Sequence, residues 1–418
     1  MENSSPRKQL WIILTIIFLG FLGISIPYLI FPALFINPEY SILPANWSES
    51  SHYLLLGVTL AAYPLGQFIG SPILGSLSDD YGRKSLLAGS LLCAAVCNLM
   101  TGLALEWQQL TLVILSRFAA GFMEGNIAIA RAMAADIKSI SKHETFGKIN
   151  AVASIAFLVG PLLGGLLADD VFFSGLTNST PFYLISFLFF CVSGLSLIML
   201  KTRDPESNDL AIKAGRSVWA RINIVNRLSV LFKNRRLRFL MIVSSFFTLA
   251  VDIFYEFGPV YLTAKWMIGP VELIAYNSIL CLTLAIGNGF LASYTSMYYS
   301  SRKGIIASIA GFAIFLVGMI FTDTPLLMWS LFGLSGFVIG IGVTLITVKI
   351  SDSVSDAIQG EVMGVQLSLR VLGDAVICLL GGIMLLISSK MIIVCAALIS
   401  AGTLAYYMSQ VNIDEKRT

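Results

Sequence analysis

Gly75-Ser-Leu-Ser-Asp-Asp-Tyr-Gly-Arg-Lys84 is the stretch from which the fold is read. It lies between two long apolar runs and gathers two acids, two bases and two glycines into ten residues. Glycine at 75 lets a helix end approach a neighbour closely, and Gly82 permits a tight turn. Asp79, with Arg83 and Lys84, puts both signs of charge at a membrane surface. A polar connector whose bases only keep it cytoplasmic would have the same composition, so its meaning depends on the rest of the chain.

That surrounding chain is apolar. Hydrophobic residues fill 56% of 418 positions and charged residues only 12%, with a mean hydropathy of +0.83. No soluble domain needs so much apolar surface; a polytopic membrane protein does. All six cysteines (Cys93, Cys97, Cys191, Cys281, Cys378 and Cys395) fall inside apolar runs, which argues against a disulfide framework. Cys93 and Cys97 share a helix face but have no His or carboxylate nearby, so no metal site is expected. The first apolar run lacks a small-residue cleavage site and reads as a first membrane helix.

A spanning helix needs about 20 apolar residues, and in lipid only helices or closed barrels satisfy their backbone. Runs of that length recur near 10–36, 51–77, 85–105, 110–134, 148–168, 181–200, 239–264, 272–299, 304–322, 326–350, 361–387 and 390–411. The expected fold is therefore an all-α polytopic membrane protein of twelve transmembrane helices. A six-helix bundle spans 1–200, a basic linker 201–238 and a second six-helix bundle 239–418. Loops on the side of the N-terminus hold 21 of the 27 Lys and Arg, while the opposite loops hold Lys265 and Lys390. By the positive-inside rule both termini and the linker are cytoplasmic, and if the source is bacterial the membrane is the inner or plasma membrane. Within the linker, Val218, Ile222, Val225, Leu228 and Leu231 recur at helical spacing. That pattern suits an amphipathic helix at the membrane surface, with a plain basic linker as the other reading.

The halves echo each other. A shift of 217 residues places Phe146-Gly147 on Met363-Gly364, Gly164-Gly165 on Gly381-Gly382 and Gly125 on Gly342. Two six-helix repeats are how many secondary transporters are built, with the ligand site at the repeat interface near mid-membrane.

With these features in place, the chain resembles the major facilitator superfamily over essentially its whole length. The opening stretch is similar to the family's G-x-L-x-D-x-x-G-R-K/R signature between helices two and three, filled by Gly75, Leu77, Asp79, Gly82, Arg83 and Lys84. Arg117-Phe-Ala-Ala-Gly121 resembles the family's helix-four Arg-x-x-x-Gly pattern, with Ala120 where a Gln is often present. Gly160-Pro161-Leu-Leu-Gly164-Gly165 resembles the antiporter motif of proton-coupled exporters, with Ala156 in place of a leading glycine. Together these look like the twelve-helix drug:proton antiporter branch, which includes tetracycline exporters. The resemblance implies that Asp79 acts as a cytoplasmic latch against the start of helix eleven, near Gln359–Glu361, with Arg83 and Asp136 completing the charge cluster. A helix N-terminus favours a nearby anion, which gives that assignment a physical reason. Ser300-Ser-Arg-Lys303, the matching loop of the second half, keeps its cations but lacks the aspartate and glycine framing.

Ionisable residues inside spans cost about 2.5–3.5 kcal/mol each on insertion scales and are functional candidates by default. Here they are Glu124, Asp252, Glu256 and Asp374 against Arg117, Arg131, Lys349 and Arg370, four acids and four bases that suggest mutual compensation. Some of these pairs would serve only to hold helices in register. Asp252 and Glu256 are four residues apart on one helix face, and one of them is expected to carry the coupling proton. Glu124 is expected either to bind a cationic substrate group or to pair with Arg131, two turns along. Arg370 and Asp374, again four apart, read most simply as an intrahelical pair, and Lys349 as a residue that snorkels to the cytoplasmic surface. Tyr28, Phe31, Phe254, Tyr255 and Tyr276 are aromatic candidates for a cavity lining.

The expected function is a secondary active transporter, a proton-coupled antiporter exporting a small amphipathic drug or metabolite. A proton-coupled uptake symporter for a nutrient or siderophore is the second reading, and a non-transporting membrane receptor or scaffold the third. No Gly-rich phosphate loop ending in Lys-Ser/Thr is present, which disfavours an ATP-driven pump. No catalytic nucleophile or metal set emerges, so the chain is not expected to be an enzyme or to need a cofactor. The expected partners are a small-molecule substrate, protons and the lipid bilayer, with no nucleic acid, and the chain is expected to act as a monomer.

Overall fold

Among the described residues every element is helical and no strand occurs, as the apolar runs require in a medium that cannot satisfy an open backbone. A computed structural model describes residues 6–44, 46–137, 142–169, 174–200, 234–354 and 356–415. The expected surface helix at Val218–Phe232 lies outside the described residues, as does most of the linker. The helices are α1 (Pro6–Ser25), α2 (Ile30–Ile36), α3 (Glu49–Tyr81), α4 (Arg83–Glu106), α5 (Leu110–Met123), α6 (Gly125–Ala135), α7 (Lys142–Leu167) and α8 (Thr180–Met199). They continue as α9 (Arg235–Trp266), α10 (Pro270–Ile286), α11 (Ala292–Tyr298), α12 (Ser301–Phe321), α13 (Pro325–Ser351), α14 (Asp356–Leu385) and α15 (Ser389–Glu415). Among the described residues, eleven spans are long and apolar enough to cross a membrane, where twelve are expected. A further apolar segment, Ala151–Leu167 within α7, stands where the remaining expected span falls.

Several spans are built from two elements. A short 3-10 turn at Ile26–Leu29, which contains Pro27, joins α1 to α2. Glu124 joins α5 to α6 with i→i+3 bonds, Glu124 N to Gly121 O and Ile127 N to Glu124 O, both at 3.0 Å. A π turn at Gly287–Leu291 joins α10 to α11. The opening stretch is less of a loop than its composition suggests. α3 runs through Gly75 to Tyr81, and only Gly82 breaks the path before α4 starts at Arg83. Gly82 has φ +92°, a conformation only glycine adopts without strain. At Gly75 the expectation of a close helix approach is not met: no described atom lies within 4 Å of where a Cβ would stand.

Contacts divide the chain into two units: Met1–Phe31, Ile42–Pro44 and Thr59–Asn223, then Pro32–Ser41, Ala45–Val58 and Ile224–Thr418. In the first unit, α3 and α5 approach until backbone meets backbone. A methyl added at Gly66, Gly70 or Gly121 would overlap Phe118 O, Phe122 O or Tyr63 O, and Gly125 stands against Leu74. Small residues at four-residue spacing allow this contact, and in lipid, where the hydrophobic effect does not drive helices together, such close packing supplies much of the association. Hydroxyls add to it: Ser186 Oγ donates to Ala95 O at 2.7 Å and Ser193 Oγ to Ala88 O at 2.8 Å, tying α8 to α4.

The second unit is centred on an aromatic wall. Phe254 meets Phe312 at 5.7 Å and Phe332 at 4.9 Å between centroids, and Phe247 meets Phe312 edge-on at 6.1 Å. α14 can lie close to α9 because Gly381 stands under the Phe257 ring and Gly373 beside Leu249. The early segments in this unit are attached through Asn37 Nδ2, which donates to Met267 O at 2.9 Å, and through Gly57 against Gly382. At the far end of α9, Lys265 bonds Asp323 at 2.8 Å and also donates to Thr322 O and the Tyr261 hydroxyl.

Gly66→Leu is expected to cost about 3 kcal/mol or more through forced separation of α3 and α5. Gly89→Leu, at a site with no atom within 4 Å, should leave thermal stability in detergent unchanged; equal losses in both would contradict this account. The Lys265 ammonium also holds the Asp323 carboxyl below its ordinary value. A depressed carboxyl stabilises the fold above its unfolded-chain value and loses that contribution as pH falls through the lower folded one. Wild type and Asp323→Asn should therefore differ in melting temperature at neutral pH and converge below about pH 4.

Candidate functional site

The polar groups that the sequence singles out inside spans collect into one cluster in each unit. In the second unit, Asp252 and Glu256 stand one turn apart on α9, both buried. Facing them from α14 are Arg370, Asp374 and Cys378, at successive four-residue steps. Arg370 Nε lies 3.2 and 3.1 Å from the two Asp252 carboxylate oxygens, and Nη2 donates to Oδ1 at 2.7 Å. This bidentate grip corrects the expectation of an Arg370–Asp374 pair. The intrahelical partner is one turn away, but the close packing of α9 on α14 puts a fork-shaped acceptor in line with the guanidinium. Asp374 is left with Oδ1 buried and without a hydrogen-bond partner.

The charges do not balance locally. The buried Cys378 thiol lies within electrostatic reach of Asp252, Glu256 and Asp374, and among the described residues Arg370 is the cation beside them. Three carboxylates therefore share one guanidinium. Binding a proton to Asp374, whose Oδ1 is buried and unpartnered, removes a charge from a region where a buried charge costs several kcal/mol. The Arg370 side chain is 49% exposed although Asp252 is buried. A guanidinium within a span does not face lipid, so the open side of α14 at Arg370 borders a polar space.

A small cavity adjoins the cluster, lined by Tyr255, Tyr276, Asn277 and Phe332 among others. Asn277 Nδ2 is buried there without a hydrogen-bond partner, and the Tyr255 hydroxyl is 3.7 Å from Cys281 Sγ. Of the aromatic candidates, Tyr255 and Tyr276 line this cavity, whereas Phe254 belongs to the packed wall.

In the first unit the imbalance is reversed. Glu124 sits at the α5–α6 break and accepts from the Tyr63 hydroxyl at 2.6 Å, while its Oε1 is buried and unpartnered. Arg117 and Arg131 are within its electrostatic field, so two guanidinia face one carboxylate. The expected Glu124–Arg131 ion pair does not form among the described residues, because the break at Glu124 interrupts the helical register that would align them. Arg117 instead lies in an aromatic cage, 4.3 Å from the Tyr63 ring centroid, 5.8 Å from Phe31 and 6.0 Å from Phe182, contacts worth about 2 kcal/mol or more when desolvated. Arg131 lies 5.7 Å from the Phe21 ring. Asn126 is buried beside Glu124 in sequence with neither end of its amide partnered.

The two motifs of the first half also have defined settings. Gly160 and Gly164 stand against Ser25 and the Ile26 carbonyl, so α7, with Pro161 inside it, meets the 3-10 turn of the first span there. Ser25 Oγ donates to Ala156 O at 3.2 Å across that contact. Gly165 is buried in the same helix. Arg83 and Asp136 form an ion pair joining the start of α4 to the end of α6. The side chains of Asp79 and Glu361 lie outside the described residues. Lys349 is remote from either cluster, at the last turn of α13.

Sequence reasoning missed Tyr63, Asn277 and Cys378. The steps Arg370, Asp374, Cys378 were a readable signal for the last, but nothing local marks a tyrosine 61 residues from its partner. Arg370→Gln is expected to lower stability by about 3 kcal/mol, less than a fully buried break because Arg370 is half exposed. Adding Asp252→Asn should restore most of it. Thermal unfolding in detergent reads both, and an unrestored double variant would show that the pair is not what holds α9 to α14.

The model of the family described as Major Facilitator Superfamily matches residues 13–377. The chain is 27% identical over 374 residues to "Tetracycline resistance protein, class C" of Escherichia coli, covering 86% of this chain and 85% of that one. To "Tetracycline resistance protein, class H" of Pasteurella multocida it is 33% identical over 208 residues, 48% of this chain. That match spans 49%, about half, of the relative's length. Among solved structures, a bacterial homolog to the human lysosomal transporter Spinster, inward-facing and occupied, has a TM-score of 0.73 over 98% of both chains. Its identity is 13%, a likeness of fold alone.

Proposed function

Because the chain belongs to the Major Facilitator Superfamily, and is a multi-pass membrane transporter of small molecules rather than an enzyme, we propose that it is a proton-coupled antiporter exporting a small amphipathic molecule. The observation that carries this reading is the cluster of Asp252, Glu256 and Asp374 around Arg370. Alternating access needs a group whose protonation changes a contact between spans. A proton on Asp252 removes the charge that grips Arg370 and frees the guanidinium for Asp374, one turn along α14. Loss of the proton restores the Asp252 contact, and the two states differ in how α9 and α14 are tied. The exposed side of Arg370 supplies the path for the proton to arrive and leave.

Export is favoured by the resemblance of Gly160-Pro161-Leu-Leu-Gly164-Gly165 to the antiporter motif and by the tetracycline resistance proteins among the relatives. Glu124, held by Tyr63 beside Arg117 and Arg131, is proposed as the first unit's contribution to substrate or proton binding. Asp79, with the Arg83–Asp136 pair, is proposed as a cytoplasmic latch. In this reading both termini face the cytoplasm, the protein lies in a bacterial inner membrane, and a monomer suffices. An uptake symporter would use the same cluster with the opposite sense of cargo movement.

Purified protein in liposomes with an imposed pH gradient and labelled amphipathic cations tests the coupling. Asp252→Asn and Glu256→Gln should each reduce gradient-driven movement to the background of empty liposomes, while exchange without a gradient persists. Full gradient-driven activity in both would remove the proposal.

A further inference from the structure

The cavity beside the acidic cluster holds a polar group that packing does not explain. Asn277 lies on α10, about two turns from its start. It is only 6% exposed, and its Nδ2 is buried without a hydrogen-bond partner. Leu273, Leu280 and Phe332 also line the cavity, and none of them carries a side-chain acceptor. The Cys281 thiol, one turn along α10, is close enough to feel the amide but does not form a hydrogen bond with Nδ2. Sulfur is in any case a weak acceptor. Tyr255, Tyr276 and Phe332 give the cavity an aromatic wall, with Tyr276 and Phe332 edge to face at 5.6 Å. Tyr255 is within electrostatic reach of Glu256 and Arg370, so this wall ends at the carboxylate cluster.

A buried amide donor without an acceptor costs about 1–3 kcal/mol. Leucine has the same branched shape and would fill the place without that cost, so the amide does not serve packing. The cavity narrows there to about the size of one water molecule. That is room for a single oxygen at the amide, while a flat ring bearing the oxygen would lie along the aromatic wall. At the near end of the wall three carboxylates share one guanidinium, a field that favours a cationic group.

We propose that Asn277 is a specificity-determining residue for the cargo. Its Nδ2 donates to a carbonyl oxygen of a flat aromatic cation, whose ring lies against Tyr255 and Tyr276 and whose charged group is turned to the carboxylate cluster. A molecule with a methylene in place of that carbonyl leaves the donor buried and unpaired, which is how a polar site rejects a near-isostere. Calling the ligand a cargo rests on the transport function proposed above; the binding itself needs neither a proton gradient nor a direction of movement.

Equilibrium binding to the full chain in nanodiscs, without a pH gradient and corrected against empty nanodiscs, tests this. The probes are a labelled dimethylaminopropyl acridone and the matching dihydroacridine, in which a methylene replaces the ring carbonyl. Wild type should bind the acridone about tenfold more tightly, the worth of one neutral hydrogen bond in a buried site. Asn277→Leu should bring the two affinities within about twofold of each other. Its affinity for the dihydroacridine should stay at the wild-type value, which also shows that the variant is folded. Asn277→Gln, which keeps a donor, should retain part of the preference. A wild type that binds both probes alike, or neither, would overturn the proposal, as would a preference that persists in Asn277→Leu. Equal wild-type affinities together with a higher thermal midpoint for Asn277→Leu would assign the amide to a bound water only. Absence of gradient-driven transport would count against the proton-coupled reading and leave a measured acridone preference standing.

Discussion

The second unit depends on the contact between Asp252 and Arg370, a bidentate pair with one partner buried and the other opening onto a polar space. Placing a carboxylate and a guanidinium in register requires α9 and α14 to lie close. The missing side chains at Gly373 and Gly381 permit that, because Leu249 and the Phe257 ring occupy the space a Cβ would take. Behind Asp252 the wall of Phe247, Phe254, Phe312 and Phe332 keeps α9 from turning away. The polar contact is thus held by apolar packing on one side and backbone proximity on the other.

Among the described residues the charges inside each unit form one cluster of unequal sign. Two guanidinia face Glu124 in one, and three carboxylates face Arg370 in the other. The first unit offsets its excess by aromatic faces around Arg117, which stabilise a cation without neutralising it. Among the described residues no aromatic cage of this kind is seen around Arg370 in the second. In the proposed antiport a neutralising proton serves there, and a proton can be exchanged, which a tyrosine ring cannot. This asymmetry is the physical basis for locating coupling in the second unit.

Much of this was legible in the sequence. The spans, the candidate carboxylates and the turn at Gly82 follow from hydropathy, from the cost of charge in lipid and from the backbone freedom of glycine, all of which are local. Pairings were not legible. Helical spacing alone favours Arg370 with Asp374 and Glu124 with Arg131, and both expectations fail for the same reason: a partner on another helix, or a break in the helix, changes which groups meet. Gly75 shows the opposite limit, since a glycine within a motif reads as a close contact whether or not a neighbour is there.

The sequence by itself determined that this chain is a membrane protein of repeated apolar helices, with a short set of intramembrane charges too costly to be incidental. Periodicity and transfer cost act within a segment and need no knowledge of neighbours. Only the tertiary structure decided that Asp252 owns Arg370, that Tyr63 holds Glu124, and that the charges segregate with opposite sign into the two units. Those outcomes rest on distances between helices far apart in sequence, such as the 118 residues from Asp252 to Arg370, which glycine contacts and helix breaks set and composition does not.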